Sequence, residues 1–571
     1  MTRIFDDPEE FADDQLAGFL DLYADRLRGV PGGVVTLPDG EPQVAVVIGG
    51  GSGHYPAFCG TVGSGLAHGA VVGNIFTSPS AAQAYSVAKA ADQGRGVVLS
   101  FGNYAGDIMN FGIAAERLRK EGIDARVVVV TDDVASAEDP EQRRGIAGDF
   151  SVFKAMGAAA AAGLDLDEVE RVGRTSNAAT RTLGVAFSGC TMPGAEAPLF
   201  QVPAGHLGLG LGIHGEPGIE DVPLLPAEKL AGLLVERLLA AAPDSSSTRL
   251  APVLNGLGTT KYEELFLLWR HVARLLRERG FTLVEPEVGE LVTSLDMGGV
   301  SLTLQWLDDE LERCWTADAY APAYRKQRAP LERLDASGRG GAAEGVAQDE
   351  AVPPASDASR ALAGAVRDGL RALHAVVAEH EEELGRIDAV AGDGDHGRGM
   401  LKGASAALRS AEQAPPEAGA AWLLGRAGRA WAEQAGGTSG VLWGAALEAF
   451  GGSLGDDGDV YDPPKVADAI DAFAESVQDL GRAQAGDKTL LDALLPFAAS
   501  FREQAGAGAP TRDAWAAAAD AATEGARATA DLRPRVGRAR PLAEKSLGTP
   551  DAGATSFALV VTRVGEVLAR D

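Results

Sequence analysis

The chain has few cysteines and a deficit of positive charge. Of its 571 residues only three are cysteine, Cys59, Cys190 and Cys314, and their number and wide spacing fit neither a disulfide framework nor a zinc site. The 51 basic residues are outnumbered by 81 acidic ones, giving a formal net charge of −30. Such a charge disfavours binding to nucleic acid or to an anionic membrane. We therefore expect a cytoplasmic protein with no nucleic-acid partner.

Long apolar runs are also lacking. Glycine or charge interrupts every stretch long enough to span a bilayer, and the N-terminal segment lacks the apolar core of a secretory signal. The sequence therefore predicts no membrane partner. A length of 571 residues exceeds that of a typical single domain and predicts two to four domains.

The chain also shows a change in its predicted secondary structure about midway along the sequence. In the first part, β-branched runs such as 44–48, 97–100 and 127–131 alternate with alanine-rich helical stretches, as is typical of a parallel α/β sheet. The last part is nearly all helical in pattern. The sequence therefore predicts an α/β domain over 1–330 with two lobes dividing near residue 185, a linker over 331–357, and an all-helical domain over 358–571.

Three polar residues beside glycines are candidates for catalysis in the first domain. His214 lies in Gly-Ile-His-Gly-Glu-Pro-Gly, His54 ends Gly-Gly-Gly-Ser-Gly-His, and Asp107 ends Asn-Tyr-Ala-Gly-Asp. Neighbouring glycines leave an imidazole open to a ligand, and Asp107 follows a predicted strand, where α/β sheets bind their ligands. We interpret His214 as a nucleophile or base, His54 as an acid and Asp107 as a base. Turn histidines and a helix N-cap are the respective alternatives.

The glycine-rich run before His54 is not a nucleotide loop. It lacks the Gly-Lys-Ser/Thr ending of a Walker loop, and His54 stands where a dinucleotide fingerprint needs its third glycine. We therefore expect Gly51, Ser52 and Gly53 to approach a small polar substrate closely.

Three aspartates predict a metal site in the helical domain. Asp388, Asp393 and Asp395 fall on a glycine-broken segment after a predicted helix, and such carboxylates repel one another without a cation. Their spacing is not that of an EF-hand, and few carboxylates with ligand positions left over suit Mg²⁺ shared with phosphates. A second acidic run, 456–459, lies in a glycine-rich connection, and we interpret it as a solvated loop.

Another glycine-rich run indicates phosphate binding. Gly-Gly-Thr438-Ser439-Gly precedes a predicted helix over 441–450, and the N-terminal amides of a helix attract anions. Lys488, in Gly-Asp-Lys-Thr, and Arg538 add positive charge, although both could equally be solvated surface residues.

Seven ordered motifs together resemble the dihydroxyacetone kinase family in its fused, ATP-dependent form, over nearly the whole chain. Besides the motifs that contain His54, Asp107 and His214, they are Gly-Asp393-Gly-Asp395-His-Gly, Gly-Gly-Thr438-Ser439-Gly, Gly-Asp-Lys-Thr489-Leu-Leu-Asp and Gly-Thr-Pro-Asp551-Ala-Gly.

The resemblance implies a mechanism and a set of site residues. His214 would hold a ketose as a covalent hemiaminal, with His54 as acid and Asp107 as base. An eight-helix barrel domain would bind ATP, with Mg²⁺ on the three aspartates. The implied nucleotide-binding residues are Asp395, His396, Gly397, Arg398, Thr438, Ser439, Gly481, Thr489, Leu490, Arg538, Asp551 and Gly553. Because the two domains must meet for phosphoryl transfer, a homodimer in which one subunit serves the other is expected.

Three positions depart from the pattern of family members specific for dihydroxyacetone. Tyr55 stands where Glu is usual, Asn74 where Asp is usual, and Gly102 where a substrate-contacting Lys is usual. Loss of the lysine would open space and remove a donor, so the resemblance implies a longer ketose, erythrulose. The alternatives are a dihydroxyacetone kinase, a lyase forming a cyclic flavin phosphate, and a ketose-sensing regulator, against which the three aspartates argue.

Overall fold

The computed structural model describes residues 2–37, 40–216, 218–327, 352–435, 437–536 and 544–569, with only the backbone of 437 and 438. The chain divides into two compact units, Met1–Gly338 and Arg339–Asp571. Most of the predicted linker and the whole of Arg538 lie outside the described residues. The predicted order, an α/β domain followed by an all-helical domain, is confirmed.

The first lobe of the N-terminal unit combines six strands with five helices. These are α1 (Phe11–Leu22), β1 (Leu27–Val30), β2 (Gly33–Thr36), β3 (Ala45–Ser52), β4 (Gly69–Ile75), α2 (Ala81–Ala91), β5 (Val97–Gly102), α3 (Ala105–Lys120), β6 (Ala125–Val130), α4 (Gly148–Ala161) and α5 (Leu166–Ala178). The sheet order is β1-β2-β4-β3-β5-β6. From β4 to β6 the strands run parallel, and β3 and β5 are buried along their whole length, as is usual in a sheet covered by helices on both faces.

The second lobe is built on another sheet. Its elements are β7 (Thr180–Ala186), β8 (His206–Leu209), β9 (Glu220–Pro223), α6 (Ala227–Ala240), β10 (Arg249–Gly256), α7 (Tyr262–Glu278), β11 (Thr282–Leu283), β12 (Glu287–Gly289), β13 (Gly299–Trp306) and α8 (Asp309–Thr316), followed by a small hairpin of β14 (Ala319–Tyr320) and β15 (Arg325–Lys326). The order is β11-β10-β13-β7-β8-β9, with β12 also on β10. The long strands β10, β13 and β7 pair antiparallel. The parallel pattern thus applies to the first lobe but not to the main strands of the second.

The C-terminal unit contains nine helices among its described residues. They are α9 (Asp357–Glu379), α10 (Glu381–Asp388), α11 (His396–Glu412), α12 (Ala420–Ala435), α13 (Gly437–Leu454), α14 (Pro463–Gly481), α15 (Leu491–Gly506), α16 (Thr511–Ala528) and α17 (Ala552–Leu568). Only His380 separates α9 from α10. Small residues allow close helix packing: a Cβ on Gly428 of α12 would lie 2.5 Å from the Gly444 oxygen of α13. Alanine-rich helices therefore form one tight core.

The acidic run 456–459 differs from the solvated loop that we expected. Asp456 accepts hydrogen bonds from the amides of Ala421 (2.8 Å) and Trp422 (3.0 Å) and from Ser359 Oγ (2.7 Å). These amides belong to the first turn of α12, where no intrahelical acceptor is available. The carboxylate therefore caps a helix, whereas Asp459 is exposed as expected.

The described part of the chain contains no helix that is long and apolar enough to span a bilayer. Its three cysteines are buried free thiols, as their spacing predicts.

Candidate active site

The glycine-rich run before His54 continues a strand instead of forming a loop. β3 extends through Ser52, and its glycines allow close contact with the segment after β4: a Cβ on Gly51 would lie 2.6 Å from Thr77 N. Gly53 has φ +97°, which glycine adopts without strain. The close approach predicted for a ligand is thus made in part by the protein's own backbone. Ser52 Oγ, by contrast, is buried without a hydrogen-bond partner in the described structure.

The segment that carries His214 is linked to the first lobe by hydrogen bonds through the loop after β12. Ser294 Oγ donates to the Ile213 carbonyl, and the amide of the next residue, Leu295, donates to the Gly53 carbonyl (2.8 Å). The loop after β12 therefore bridges the two histidine segments, which are distant in sequence. The His214 side chain is 21% exposed and so remains accessible to a small ligand.

Hydrogen bonds around the two imidazoles determine where their protons lie. Nδ1 of His54 is 2.7 Å from the Thr293 carbonyl oxygen, and Nδ1 of His214 is 2.9 Å from Glu216 Oε1. Because both partners act as acceptors, we assign a proton to each Nδ1. The two Nε2 atoms are 3.0 Å apart, a hydrogen-bond distance that requires one proton between them. The two rings therefore share one Nε2 proton.

Burial and Glu216 determine which ring holds this proton. Burial, and then the charge on His214, lower the pKa of His54 to about 3, so His54 is the neutral partner and accepts through Nε2. Burial alone would raise the pKa of Glu216, but the hydrogen bond from His214 and the charge of His214 outweigh burial and lower it to about 2. Glu216 is therefore an anion at neutral pH and accepts the hydrogen bond from His214 Nδ1. Glu216 was not among the predicted site residues, although Glu216 lies only two residues after His214.

Aromatic rings surround the histidine pair. Phe76 stacks on His54 with ring centroids 5.1 Å apart. The edges of Phe76 and Tyr104 meet His214 at centroid distances of 5.1 and 5.0 Å. These rings limit the orientations open to the His214 imidazole and restrict access by water.

Asp107 lies in the first turn of α3 but does not cap it. The N-cap is Tyr104, and the Asp107 carboxylate instead accepts from Ser78 Oγ at 2.8 Å. Asp107 is only 6% exposed, and burial, partly offset by the Ser78 hydrogen bond, raises its pKa to about 6. A carboxylate with such a pKa suits proton abstraction near neutral pH. Ser78, which sequence reasoning missed, fixes its orientation.

Only one of the three departures from the dihydroxyacetone pattern is buried. Tyr55 is 41% exposed and Asn74 is exposed as well, with its Oδ1 bonded to the Ile75 amide. Gly102 is buried, and a Cβ there would lie 3.0 Å from both Gly145 O and Tyr104 Cε2. The expectation that loss of a lysine opens space at this position is therefore wrong, because backbone and a tyrosine ring fill it.

The three predicted metal ligands converge in the C-terminal unit. Asp388 ends α10, Asp393 lies in the following turn, and Asp395 directly precedes α11. One carboxylate oxygen from each lies within 4.8 Å of the others. The amide of Gly394 donates to Asp388 Oδ2 (2.8 Å), which orients that carboxylate. Three converging oxygen donors fit a hard divalent cation such as Mg²⁺.

A cavity of about 330 Å³ lies beside these aspartates. Eight of the predicted nucleotide-binding residues line it: Asp395, His396, Ser439, Gly481, Thr489, Leu490, Asp551 and Gly553. Leu442, Trp443 and Val477 add an apolar wall. Arg398 is not among the lining residues, and Gly397 packs against α10, since a Cβ there would lie 2.0 Å from the Glu381 oxygen. The side chain of Thr438 lies outside the described structure.

Lys488 is neither a solvated surface charge nor a freely extended cation. It is buried, and its Nζ donates to the carbonyls of Ser546 (2.7 Å) and Leu532 (3.2 Å). Burial lowers its pKa. In the same motif Asp492 accepts from the amides of Gly486 and Thr489. These contacts shape the turn that lines the cavity, and the sequence reasoning did not identify this role of Asp492.

Comparison with known proteins places the chain in a family. Residues 17–323 match the Dak1 domain and residues 390–566 match the DAK2 domain. The chain is 57% identical over 571 residues to D-erythrulose kinase of Mycolicibacterium smegmatis, covering 99% of this chain and 98% of that protein. It is 53% identical over 582 residues to L-erythrulose kinase of Pectobacterium atrosepticum, covering 100% of this chain and 97% of that protein.

A solved structure matches over the same length. The dihydroxyacetone kinase from C. freundii in complex with AMP-PNP and Mg²⁺ is 30% identical to this chain, with 99% of each chain covered and a TM-score of 0.60. Both units and nearly the full length are thus accounted for by one kind of protein. The chain belongs to the dihydroxyacetone kinase family, on the branch of the erythrulose kinases.

Proposed function

We propose that the protein is an ATP-dependent ketose kinase whose substrate is erythrulose, with His214 as the residue that binds the ketone covalently. The observation that carries this proposal is the His54–His214 contact of 3.0 Å, with Glu216 on the opposite side of His214. This arrangement provides a nucleophile, a proton for the carbonyl oxygen and a counter-charge in one place. A small ketose has few groups to hold, so a covalent bond supplies the orientation that contacts alone would not.

The capture step balances within this group. The proton on His214 Nε2 first passes to His54 Nε2, which frees the His214 Nε2 lone pair to bond to the ketone carbon while the C=O π electrons move to oxygen. The proton that the histidines share moves through His54 to that oxygen, which becomes the hemiaminal hydroxyl. The substituted His214 ring, still protonated on Nδ1, is a cation that pairs with Glu216, and His54 is neutral again. The net charge of the group is unchanged, so a buried site can accommodate the reaction without a large charging cost.

Asp107 is the proposed base for the phosphorylated hydroxyl. It accepts the proton as the hydroxyl oxygen attacks the terminal phosphorus of ATP, and the bond to ADP breaks. ATP would occupy the cavity beside α11 and α13, with its base against the apolar wall. Asp388, Asp393 and Asp395 would hold Mg²⁺, whose charge neutralises the phosphates. Arg398, Thr438 and Arg538 stay predicted nucleotide contacts.

Erythrulose is preferred to dihydroxyacetone in this proposal. Relatives that share 57% and 53% identity over the chain are named for D-erythrulose and for L-erythrulose, respectively. The sequence identity to these relatives supports erythrulose as the substrate, and the preferred enantiomer is to be determined by measurement.

A substrate panel tests the proposed function. Steady-state rates with dihydroxyacetone, glyceraldehyde and both erythrulose enantiomers should show the highest kcat/KM for one erythrulose, by about 10 to 200-fold over dihydroxyacetone. ADP and phosphorylated product should form in equal amounts. A clear preference for dihydroxyacetone would contradict the tetrulose assignment, and release of ADP without a sugar phosphate would contradict the kinase.

Replacement of Asp107 by Asn tests the base. Since the folded pKa of about 6 lies above the ordinary 3.8, the protonated carboxyl stabilises the fold below pH 4 and this contribution is lost as pH rises through 6. Asp107→Asn should therefore raise the free energy of unfolding at pH 8, by up to about 3 kcal/mol, while kcat falls by at least about 100-fold.

The wild-type pH profile gives an independent reading of the same residue. The kcat/KM for the ketose should decline below pH 6 as Asp107 takes up a proton, and Asp107→Asn should lack this decline. Equal losses of activity and of stability in the variant would indicate a structural residue.

We also propose a homodimer in the cytoplasm. Phosphoryl transfer needs the ketose and ATP in contact, and a second subunit offers one way to bring a helical unit to a substrate lobe. Three buried free thiols fit a reducing compartment. Light scattering of the eluting protein, with a mass of twice 58.8 kDa expected, tests the dimer.

A further inference from the structure

Asp149 is a buried carboxyl group to which the proposed mechanism gives no role. It lies in the first turn of α4, is 5% exposed, and its Oδ1 has no hydrogen-bond partner in the described structure. Burial, and then the charges of Asp132 and Asp107, raise its pKa well above the ordinary value. An unsatisfied buried carboxyl oxygen costs free energy, and a hydroxyl group of a ligand would offset that cost.

The neighbouring Asp132 is a buried carboxylate at the same helix terminus, and both of its oxygens have hydrogen-bond partners. Its two oxygens accept from the amides of Ile146 and Gly148, each at 2.8 Å, at the start of α4. Asp132 therefore already accepts hydrogen bonds from the amides at this helix terminus. Asp149 is therefore not needed as a cap of α4.

The position of Asp149 connects it to the ketose site through Gly145 and Tyr104. A Cβ on Gly145 would lie 3.0 Å from Asp149 Oδ1 and 2.5 Å from the Cα of Gly102. The Tyr104 hydroxyl donates to the Gly145 carbonyl (3.1 Å), and the other side of the same ring meets His214. Asp149 thus lies beside Gly145 and Gly102 and within electrostatic range of Asp107.

We propose that Asp149 binds the hydroxyl group that a tetrulose has and dihydroxyacetone lacks, and so determines the substrate preference. The inference rests on the proposed function. Erythrulose exceeds dihydroxyacetone by one CH(OH) group, and a carboxyl group pairs with such a hydroxyl whether it acts as acceptor or as donor. A site whose buried polar group is left unpaired by the shorter sugar discriminates against that sugar. The preference for erythrulose then comes from the Asp149 carboxyl group beside Gly102, and not from empty space at Gly102.

Kinetics of the full-length protein with erythrulose and with dihydroxyacetone test this inference. In Asp149→Ala the ratio of kcat/KM for erythrulose to that for dihydroxyacetone should fall at least about 10-fold. Asp149→Asn, which keeps the shape and one hydrogen bond, should give a smaller fall. Both variants should melt at or above the wild-type temperature, because an unpaired buried carboxyl has been removed.

Asp132→Asn is the matched control, a buried carboxyl at the same helix terminus with backbone partners. It replaces one of the two oxygens that accept from the amides of Ile146 and Gly148 and should leave the substrate ratio unchanged. A wild-type ratio in Asp149→Ala overturns the inference, as does an equal change of the ratio in Asp132→Asn. If the wild type phosphorylates no ketose at all, the proposed function fails instead, so the two failures are distinguishable.

Discussion

Replacement of His214 by alanine is expected to abolish ketose capture and to lower kcat/KM for the ketose by at least about 1,000-fold. The variant keeps His54 and Asp107 but has no atom that can bond to the carbonyl carbon. Affinity for a non-hydrolysable ATP analogue should not change, because the predicted nucleotide residues all belong to the separate C-terminal unit.

Carbon NMR with a ketose labelled at the carbonyl position measures capture directly. In the wild type the carbonyl resonance should give way to that of a tetrahedral carbon on a protein-sized molecule, and in His214→Ala it should not. His206→Ala is a suitable control, since His206 is a histidine of the same lobe whose ring Nδ1 is hydrogen-bonded to the Ala204 carbonyl. A tetrahedral adduct that persists in His214→Ala would exclude the covalent role.

Asp393→Asn and Asp395→Asn are each expected to lower turnover by at least about 100-fold. Each change removes one anionic oxygen donor from the three that lie within 4.8 Å of one another, and Mg²⁺ held by few protein ligands depends on every charge. The Mg²⁺ concentration needed for half-maximal activity should rise in both variants.

Stability separates loss of the metal site from loss of the fold. In the metal-free protein the three carboxylates repel one another, so removal of one charge should leave the melting temperature unchanged or raise it. Asp459→Asn, a change in an exposed acid of the same unit, should alter neither activity nor Mg²⁺ dependence. A variant of Asp393 or Asp395 that is inactive only because it has unfolded would contradict the assignment.

Local chemistry accounts for the parts of the fold that the sequence predicts well. Runs such as 97–100 are β-branched and apolar, and alanine-rich segments such as 514–529 have few residues that disfavour a helix; these correspond to β5 and α16. Predictions were less accurate where glycines allow several conformations. The run before His54 continues β3, and Gly-Thr-Ser-Gly from 437 forms the first turn of α13.

The sequence pattern did not predict how strands that are distant in the chain pair with one another. The second lobe has strands of the predicted kind, yet β10, β13 and β7 pair antiparallel. Strand direction depends on which segments meet in space, and a sequence pattern records only the burial of each face.

Residue identity and spacing alone determined the composition of the candidate site: His214 among glycines, His54 and Asp107 after strands, and three aspartates on one turn. The tertiary structure decided which groups act on them. Glu216 orients His214, Ser78 holds Asp107, and Asp149 lies unpaired behind Gly145. The physical reason is that protonation and hydrogen bonding depend on burial and on partners up to 239 residues away, as between His54 and Thr293, whereas a motif specifies only its own few residues.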